Sequence, residues 1–381
     1  MAQDTSGARV YVGCDVHQAS ITVAIAQTGR EAGQVVATIR NEPGAIRKLM
    51  QRLGPAECLE VAYEAGPCGY AFYRQLEGLG INCQVIAPSL IPVRPGRTVK
   101  TDRRDAVALA ELLRGGYLVA VHVPTADEEA LRELSRGRSA ARQDVTRLRH
   151  RISKQLTRHN VRYTAGKTAW TTRHRTWLLG VRMPDALTQV VFDELRAALS
   201  EAEARLERLE RALIEATLAG AQGDLARAYA ALRGVGLVTA CTLVAELGDL
   251  TRFHSPRELM AYVGLTPREH SSGGQRRQGG ITGAGNARAR HVLIESAWQY
   301  RYRPYTSQAL ALRQAQSSPQ VVALATHAQH RLCGRFRALT GRGKPQPKVV
   351  VAVARELVGH VWAIAQQVAV QQGRTVVELA A

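Results

Sequence analysis

The chain has 381 residues, 45% of them hydrophobic, and carries 51 Lys and Arg against 32 Asp and Glu, a formal net charge of +19. That length holds two or three domains with real cores, and a positive excess on this scale predicts a polyanionic partner. Six cysteines (Cys14, Cys58, Cys68, Cys83, Cys241 and Cys333) lack CxxC or Cys/His spacing, no apolar run reaches membrane-span length, and MAQDTSGAR lacks a signal-peptide core, so a reduced, cytoplasmic protein with no membrane association is expected.

Residues 10–15 (VYVGCD), 20–26 (SITVAIA) and 34–39 (QVVATI) are short β-branched runs, which predict three strands of an antiparallel meander. Asn41-Glu42-Pro43 opens a helix with apolar Ile46, Leu49, Met50 and Leu53, and CLEVAY at 58–63 reads as a buried strand ending at Glu64. A glycine-closed helix over 66–80, a short strand stopped by Pro88 and a helix over 103–113 continue the α/β pattern.

Four acids in this region stand out: Asp15 inside the apolar YVGCDV, Glu64 at a strand end, and Asp102 and Asp105, three residues apart on one face of a first helical turn. An unpaired Asp buried in an apolar strand costs several kcal/mol, so a metal or a basic partner is expected beside Asp15. Oxygen ligands from strand, strand end and helix start suit Mg²⁺, with Mn²⁺ as the alternative. Two such ions ~4 Å apart would stabilise the attacking and leaving oxygens of a phosphodiester. This is an RNase H-like architecture in outline, spanning residues 9–120.

Thr125-x-x-Glu128 is a capping box that opens a long helix with Leu131, Leu134, Ala141, Val145, Leu148 and Ile152 at spacings of three and four. Farther on, Leu195, Leu199, Ala202, Leu206, Leu209 and Leu213 form a coiled-coil seam. The two helices pair either within one chain as an antiparallel hairpin or across chains as a dimerisation arm, in a segment spanning 125–222. Between them, from Asp144 to Asp185, lies no acid but Arg147, Arg149, Arg151, Lys154, Arg158, Arg162, Lys167, Arg173, Arg175 and Arg182. A hairpin tip facing nucleic acid, with a solvated acidic second helix, is the expectation. A second acid-free stretch runs from Ser296 to Arg355. Tyr163, Trp170, Trp177, Trp298, Tyr300, Tyr302 and Tyr305 interleave with these charges, where they either stack on unpaired bases or pack in the core. No secondary structure is predicted for 160–185.

The segment 226–370 is mostly helical. Residues 229–247 read as helix, Gly234-Val235-Gly236, helix, either a helix-hairpin-helix whose glycines let backbone N–H groups approach phosphate or an ordinary turn between helices. A glycine-rich SSGG loop flanked by Arg276 and Arg277 offers close backbone approach and positive charge for phosphoryl attack. Asn286 is placed to cap the helix after it, with Arg288 and Arg290 on its first turns available for phosphate.

In order, YVGCDVH, YEAGPCGY and KTDRRDA, the coiled-coil seam, LRGVGLVTACTLVAELGDLTRF and AYVGLTPREHSSGGQRRQGGITGAGNARAR resemble the IS110/IS1111 family of insertion-sequence transposases over about residues 10–365. The resemblance implies a RuvC-like domain with a DEDD metal site on Asp15, Glu64, Asp102 and Asp105. It also implies a C-terminal transposase domain with a nucleophilic serine that forms a covalent phosphoserine intermediate. The family's Ser-Gly after GLTP falls on Ser272-Gly273, with Ser271 as the rival. Further implications are donor and target DNA, a structured non-coding guide RNA, and a homo-oligomer, dimer or tetramer, whose site joins the two domains from different protomers, in a prokaryotic, nucleoid-associated setting. The absence of a GxxxxGK[ST] P-loop agrees with strand exchange that conserves bond energy. A RuvC-like resolvase using water as nucleophile, or a non-catalytic nucleic-acid-binding protein, are the alternatives.

Overall fold

The computed structural model describes residues 9–92, 101–270, 272, 275 and 277–374, and the chain divides into two compact units, Met1–Val123 and Pro124–Ala381.

In the first unit the three β-branched runs form β1 (Val10–Val16), β2 (Ser20–Gln27) and β3 (Gln34–Arg40), an antiparallel meander. After α1 (Pro43–Leu53), β4 (Leu59–Glu64) returns parallel to β1, and β5 (Asn82–Ile86), reached through α2 (Ala71–Glu77), lies parallel to β4. The five strands stand in the order β3-β2-β1-β4-β5. Strand periodicity sorts the side chains into two layers. Val12 and Cys14 of β1 with Val61 and Tyr63 of β4 bury against Ile46, Leu49 and Met50 of α1 and Phe72 and Leu76 of α2. Tyr11, Ala62 and Ile86 turn to the opposite face, where α3 (Asp102–Arg114) packs with Leu113.

Gly13 sets how closely α3 lies on the sheet. A Cβ there would stand 2.1 Å from the Ala106 carbonyl oxygen and 2.5 Å from the Ala110 backbone nitrogen, so no side chain fits without lifting the helix. The far end of α3 is fixed by Glu111, whose Oε1 accepts from the Gly33 N–H at 3.0 Å, and by Arg114, which donates to the carbonyls of Gln27 and Glu31 at 3.2 and 2.7 Å. Gly13→Ala is expected to destabilise this unit by ~1–3 kcal/mol, the usual cost of overpacking, measured as a lower urea midpoint.

The second unit opens with α4 (Ala126–Arg158), started by the predicted capping box: Thr125 Oγ1 accepts from the Glu128 N–H at 3.2 Å, and Glu128 Oε2 accepts from the Thr125 N–H at 3.0 Å. It pairs with α6 (Ala186–Ala219) inside one chain. Arg138 meets Glu210, Asp144 meets Arg205 and Arg149 meets Glu203, an antiparallel order. Val145, Ile152, Leu199 and Leu206 fill the seam. The acidic second helix is therefore not simply solvated, because Glu203 and Glu210 face arginines across the hairpin. The segment without predicted structure contains α5 (Thr172–Gly180), capped by Thr171.

The remaining helices are α7 (Gly223–Ala230), α8 (Leu237–Leu247), α9 (Pro256–Tyr262), α10 (Ala287–Ala297), α11 (Gln308–Gln314), α12 (Pro319–Gly341) and α13 (Gln346–Gln371). A two-stranded hairpin, β6 (Pro267–Glu269) and β7 (Gln278–Ile281), separates α9 from α10. Contrary to the expectation that no apolar run is long enough, α13 has the length and hydropathy of a membrane span. Its apolar residues, Val353, Leu357, Val361 and Trp362 among them, lie in the core, and the Trp362 indole N–H donates to the Phe253 carbonyl at 3.0 Å. All six cysteines are free thiols.

Candidate functional site

Parallel pairing of β1 with β4 brings Cys14 opposite Tyr63, so Asp15 and Glu64 follow at the carboxyl ends of two neighbouring central strands. Alternation puts them on the face of Gly13 and Ala62, the face covered by α3. Thr101 starts α3 by accepting from the Arg104 N–H at 3.4 Å, which places Asp102 and Asp105 in its first turn, where the helix dipole favours negative charge. The close approach at Gly13 thus delivers that turn to the end of β1.

His17, just beyond β1, sits between the two elements: its Nε2 is 3.3 Å from Asp15 Oδ2 and 3.6 Å from Asp102 Oδ2. These three donor atoms lie within 4.8 Å of one another. Asp105 and Glu64 are not in this group of three, although Asp105 acts on Asp15 as a like charge. Burial pushes the Asp15 carboxyl above the ordinary Asp range; His17 opposes the shift, and the charges of Asp102 and Asp105 add to it. A partly buried carboxylate facing two more acids fits a divalent cation in chemistry and charge. Half-buried Glu64 and Asp105 and exposed Asp102 leave access for the waters that Mg²⁺ retains. Sequence reasoning missed His17. The available signal was its place two residues after Asp15, just past the end of the same apolar run.

Ser272 lies in the β6–β7 connection, exposed, with its carbonyl accepting from the Gln275 N–H at 3.1 Å. Arg277, exposed in the same connection, donates to Gln275 Oε1 at 3.2 Å; Ser271 and Arg276 lie outside the described residues. At the root of this hairpin Asn286 caps α10 as predicted, its Oδ1 accepting from the N–H groups of Arg288 and Ala289 at 3.1 and 3.0 Å. Its Nδ2 donates to buried Glu246, to the carbonyl at 3.0 Å and to Oε2 at 2.9 Å. Glu246 also takes both Arg136 bonds, at 3.1 and 3.2 Å, and has Arg288 at 3.8 Å. Arg290 donates to the carbonyls of Val263 and Ala284 at 2.8 and 2.9 Å. The two arginines expected to face phosphate therefore have partners inside the fold. Glu246→Ala is expected to lose ~1–3 kcal/mol, since it leaves the partly buried Asn286 amide without a side-chain acceptor and Arg136 without its carboxylate, measured by denaturant unfolding.

The glycine pair of the α7–α8 turn divides in role. Gly234 has φ +82°, and a Cβ would fall 2.4 Å from the Ser296 carbonyl oxygen, so packing against α10 accounts for it. Gly236, the N-cap of α8, has open space around it.

Among the arginines of the hairpin, Arg149 and Arg175 are held by Glu203, at 2.7 Å and, in a bidentate pair, at 2.6 and 2.7 Å. The Arg175 hydrogen bond, then that of Arg149, holds the Glu203 carboxyl below its ordinary range. Arg147 pairs with Asp144. Arg151, Lys154, Arg158, Arg162, Lys167 and Arg173 are exposed. Tyr163, Trp170 and Trp177 pack around His174 at centroid distances of 4.8–5.3 Å, so they build a small core. Tyr300 is fully buried, Trp298 is partly buried, and Tyr302 and Tyr305 are exposed. In the second acid-free stretch, Arg331 and Arg335 pair with Glu356 from outside it, at 3.3 and 2.8 Å.

Residues 12–161 match a family profile described as a transposase of the IS110 DEDD type, and residues 226–311 match the transposase IS116/IS110/IS902 family. The putative transposase y4qE of Sinorhizobium fredii is 40% identical over 362 residues, 94% of this chain and 88% of that protein. The transposase for insertion sequence element IS1533 of Leptospira borgpetersenii is 29% identical over 340 residues, 88% of this chain and 98% of that protein. The transposase for IS1111A of Coxiella burnetii is 30% identical over 241 residues, 60% of this chain and 63% of that protein.

Proposed function

The chain belongs to the IS110/IS1111 family of insertion-sequence transposases, enzymes that cleave and rejoin DNA, and on that premise we propose a division of labour between its residues. Asp15, Glu64, Asp102 and Asp105 hold divalent metal, Mg²⁺ or Mn²⁺, and Ser272 is the nucleophile. The observation that carries the metal half is the meeting of the β1 end with the start of α3, where Asp15 and Asp102 share His17, with Glu64 at the end of the neighbouring strand. We read the β3-β2-β1-β4-β5 sheet as RNase H-like of the RuvC type.

Bound ions would supply Lewis-acid stabilisation of the attacking and leaving oxygens. The chain's own groups do the rest. Ser272 Oγ attacks the phosphorus, a serine–phosphate bond replaces the strand bond, and the released 3′-oxygen takes up a proton as the serine hydroxyl gives one up. A second 3′-OH then attacks the phosphoserine, which restores Ser272 and joins the new strand. One ester replaces another at each step, so no nucleotide hydrolysis is needed. Arg277, exposed in the same β6–β7 connection, offers positive charge to the phosphate.

Exposed Arg151, Lys154, Arg158, Arg162, Lys167 and Arg173 on the hairpin are the proposed contacts to nucleic-acid backbone, DNA or the structured non-coding guide RNA. The active form is proposed to be a homo-oligomer. The test combines protein, Mg²⁺, guide RNA and donor DNA and resolves the products on a denaturing gel. A protein-linked strand supports the reading; clean cleavage without any linkage assigns the acids to a metal nuclease that uses water.

A further inference from the structure

We propose that His17 is itself a metal ligand, through Nε2, so that the site has a mixed nitrogen and oxygen donor set. The inference rests on the metal reading above and adds to it a residue outside the four acids. In an octahedral site with bonds of ~2.1 Å, neighbouring donors stand ~3.0 Å apart and opposite donors ~4.2 Å. His17 Nε2 is 3.3 Å from Asp15 Oδ2 and 3.6 Å from Asp102 Oδ2, and all three donors fall within 4.8 Å. Donors with these separations need only a small contraction to hold one ion.

The backbone carrying His17 is held on both sides. Its N–H donates to the Ser20 carbonyl at 2.9 Å, closing the turn from β1 to β2, and its carbonyl accepts from Asn41 Nδ2 at 2.8 Å. The imidazole therefore starts from a fixed point next to the end of β1, which lowers the ordering cost of ligation. A simple ion pair between His17 and the two acids would be a surface contact of little worth, since the His17 side chain is 55% exposed. What the pair geometry supplies is a nitrogen donor aimed between two carboxylates from different elements.

An imidazole nitrogen changes which ion is preferred. Carboxylate and water ligands suit Mg²⁺, whereas nitrogen raises affinity along the first transition series, so Mn²⁺ and Co²⁺ gain over Mg²⁺. His17→Gln is expected to weaken Mn²⁺ binding by roughly 10-fold or more, the scale on which even outer-shell changes act, with a smaller effect on Mg²⁺.

The experiment is pulsed electron paramagnetic resonance and calorimetry on the full chain with Mn²⁺ alone, before any nucleic acid is added. The expected result is ¹⁴N modulation from a directly bound imidazole in the unsubstituted protein, lost in both His17→Gln and His17→Ala, with circular dichroism unchanged. Mn²⁺ that binds in an Asp15-dependent manner without ¹⁴N modulation, or modulation that survives both substitutions, overturns the His17 assignment and leaves the acids in place. If no Mn²⁺ binding depends on Asp15, this inference and the metal reading fall together.

Discussion

Ser272→Ala is expected to abolish the covalent protein–DNA adduct and strand exchange proposed above, and Ser271→Ala to retain both, in an assay with Mg²⁺, guide RNA and donor DNA. The expected loss is roughly 10⁴-fold or more, as for removal of a nucleophile whose partners cannot replace it. Ser272 is exposed, and its tie to Gln275 runs through its carbonyl, so deleting Oγ leaves the β6–β7 connection and its root at Asn286 intact. Stability should stay within ~0.5 kcal/mol of the parent chain, the usual range for an exposed position. Adduct formed at the parent rate by Ser272→Ala would remove the serine assignment. A cleaved but unlinked strand from the parent protein would instead favour water as nucleophile.

What could be read from the sequence divides by range. The strands were legible because period-two runs such as VYVGCD and SITVAIA carry their own signature, and the four acids were legible because an Asp inside such a run demands compensation. The Thr125 capping box and the Asn286 cap were equally local. Pairings across many residues were not. The stretch after Asp144 looks unopposed in sequence, yet its arginines find Glu203, which is 54 residues from Arg149 and 28 from Arg175.

The same limit hid the roles of particular residues. Gly13 is one of many glycines in the sequence, and only the packing of α3 shows why a Cβ cannot stand there. Arg290 in sequence is a basic residue on a first helical turn, available for phosphate; its carbonyl partners, Val263 and Ala284, lie 27 and 6 residues away. The heptad spacing of Leu199, Leu206 and Leu213 specified a seam but not its partner; the pairing with α4 of the same chain is a tertiary result. Helix α5 escaped because its nine residues have almost no amphipathic pattern, and its buried side is made of His174 and Leu178.

Asp15→Asn is expected to abolish metal-dependent cleavage, by roughly 10³-fold or more, with binding of the proposed guide RNA largely retained, because on the proposed reading it removes a charged oxygen ligand at the carboxyl end of β1. It should also change stability in a direction opposite to its effect on activity. The folded-state pKa of Asp15 is raised, first by burial and further by Asp102 and Asp105, against the opposing His17. A carboxyl raised on folding is one whose ionised form is disfavoured in the native state, so its contribution is most favourable below the unfolded pKa and is lost as pH rises through the folded one. At neutral pH in a chelator, the neutral amide escapes that penalty and still accepts a hydrogen bond, so Asp15→Asn should melt no lower than the parent chain. Mg²⁺ reverses the order, since an ion that binds only the native parent raises its melting temperature with concentration and leaves the variant where it was. Glu64→Gln and Asp102→Asn should lose cleavage as well. If Asp15→Asn melts lower than the parent in chelator, and Mg²⁺ raises both proteins equally, then Asp15 is a structural acid held by His17 and the metal belongs elsewhere.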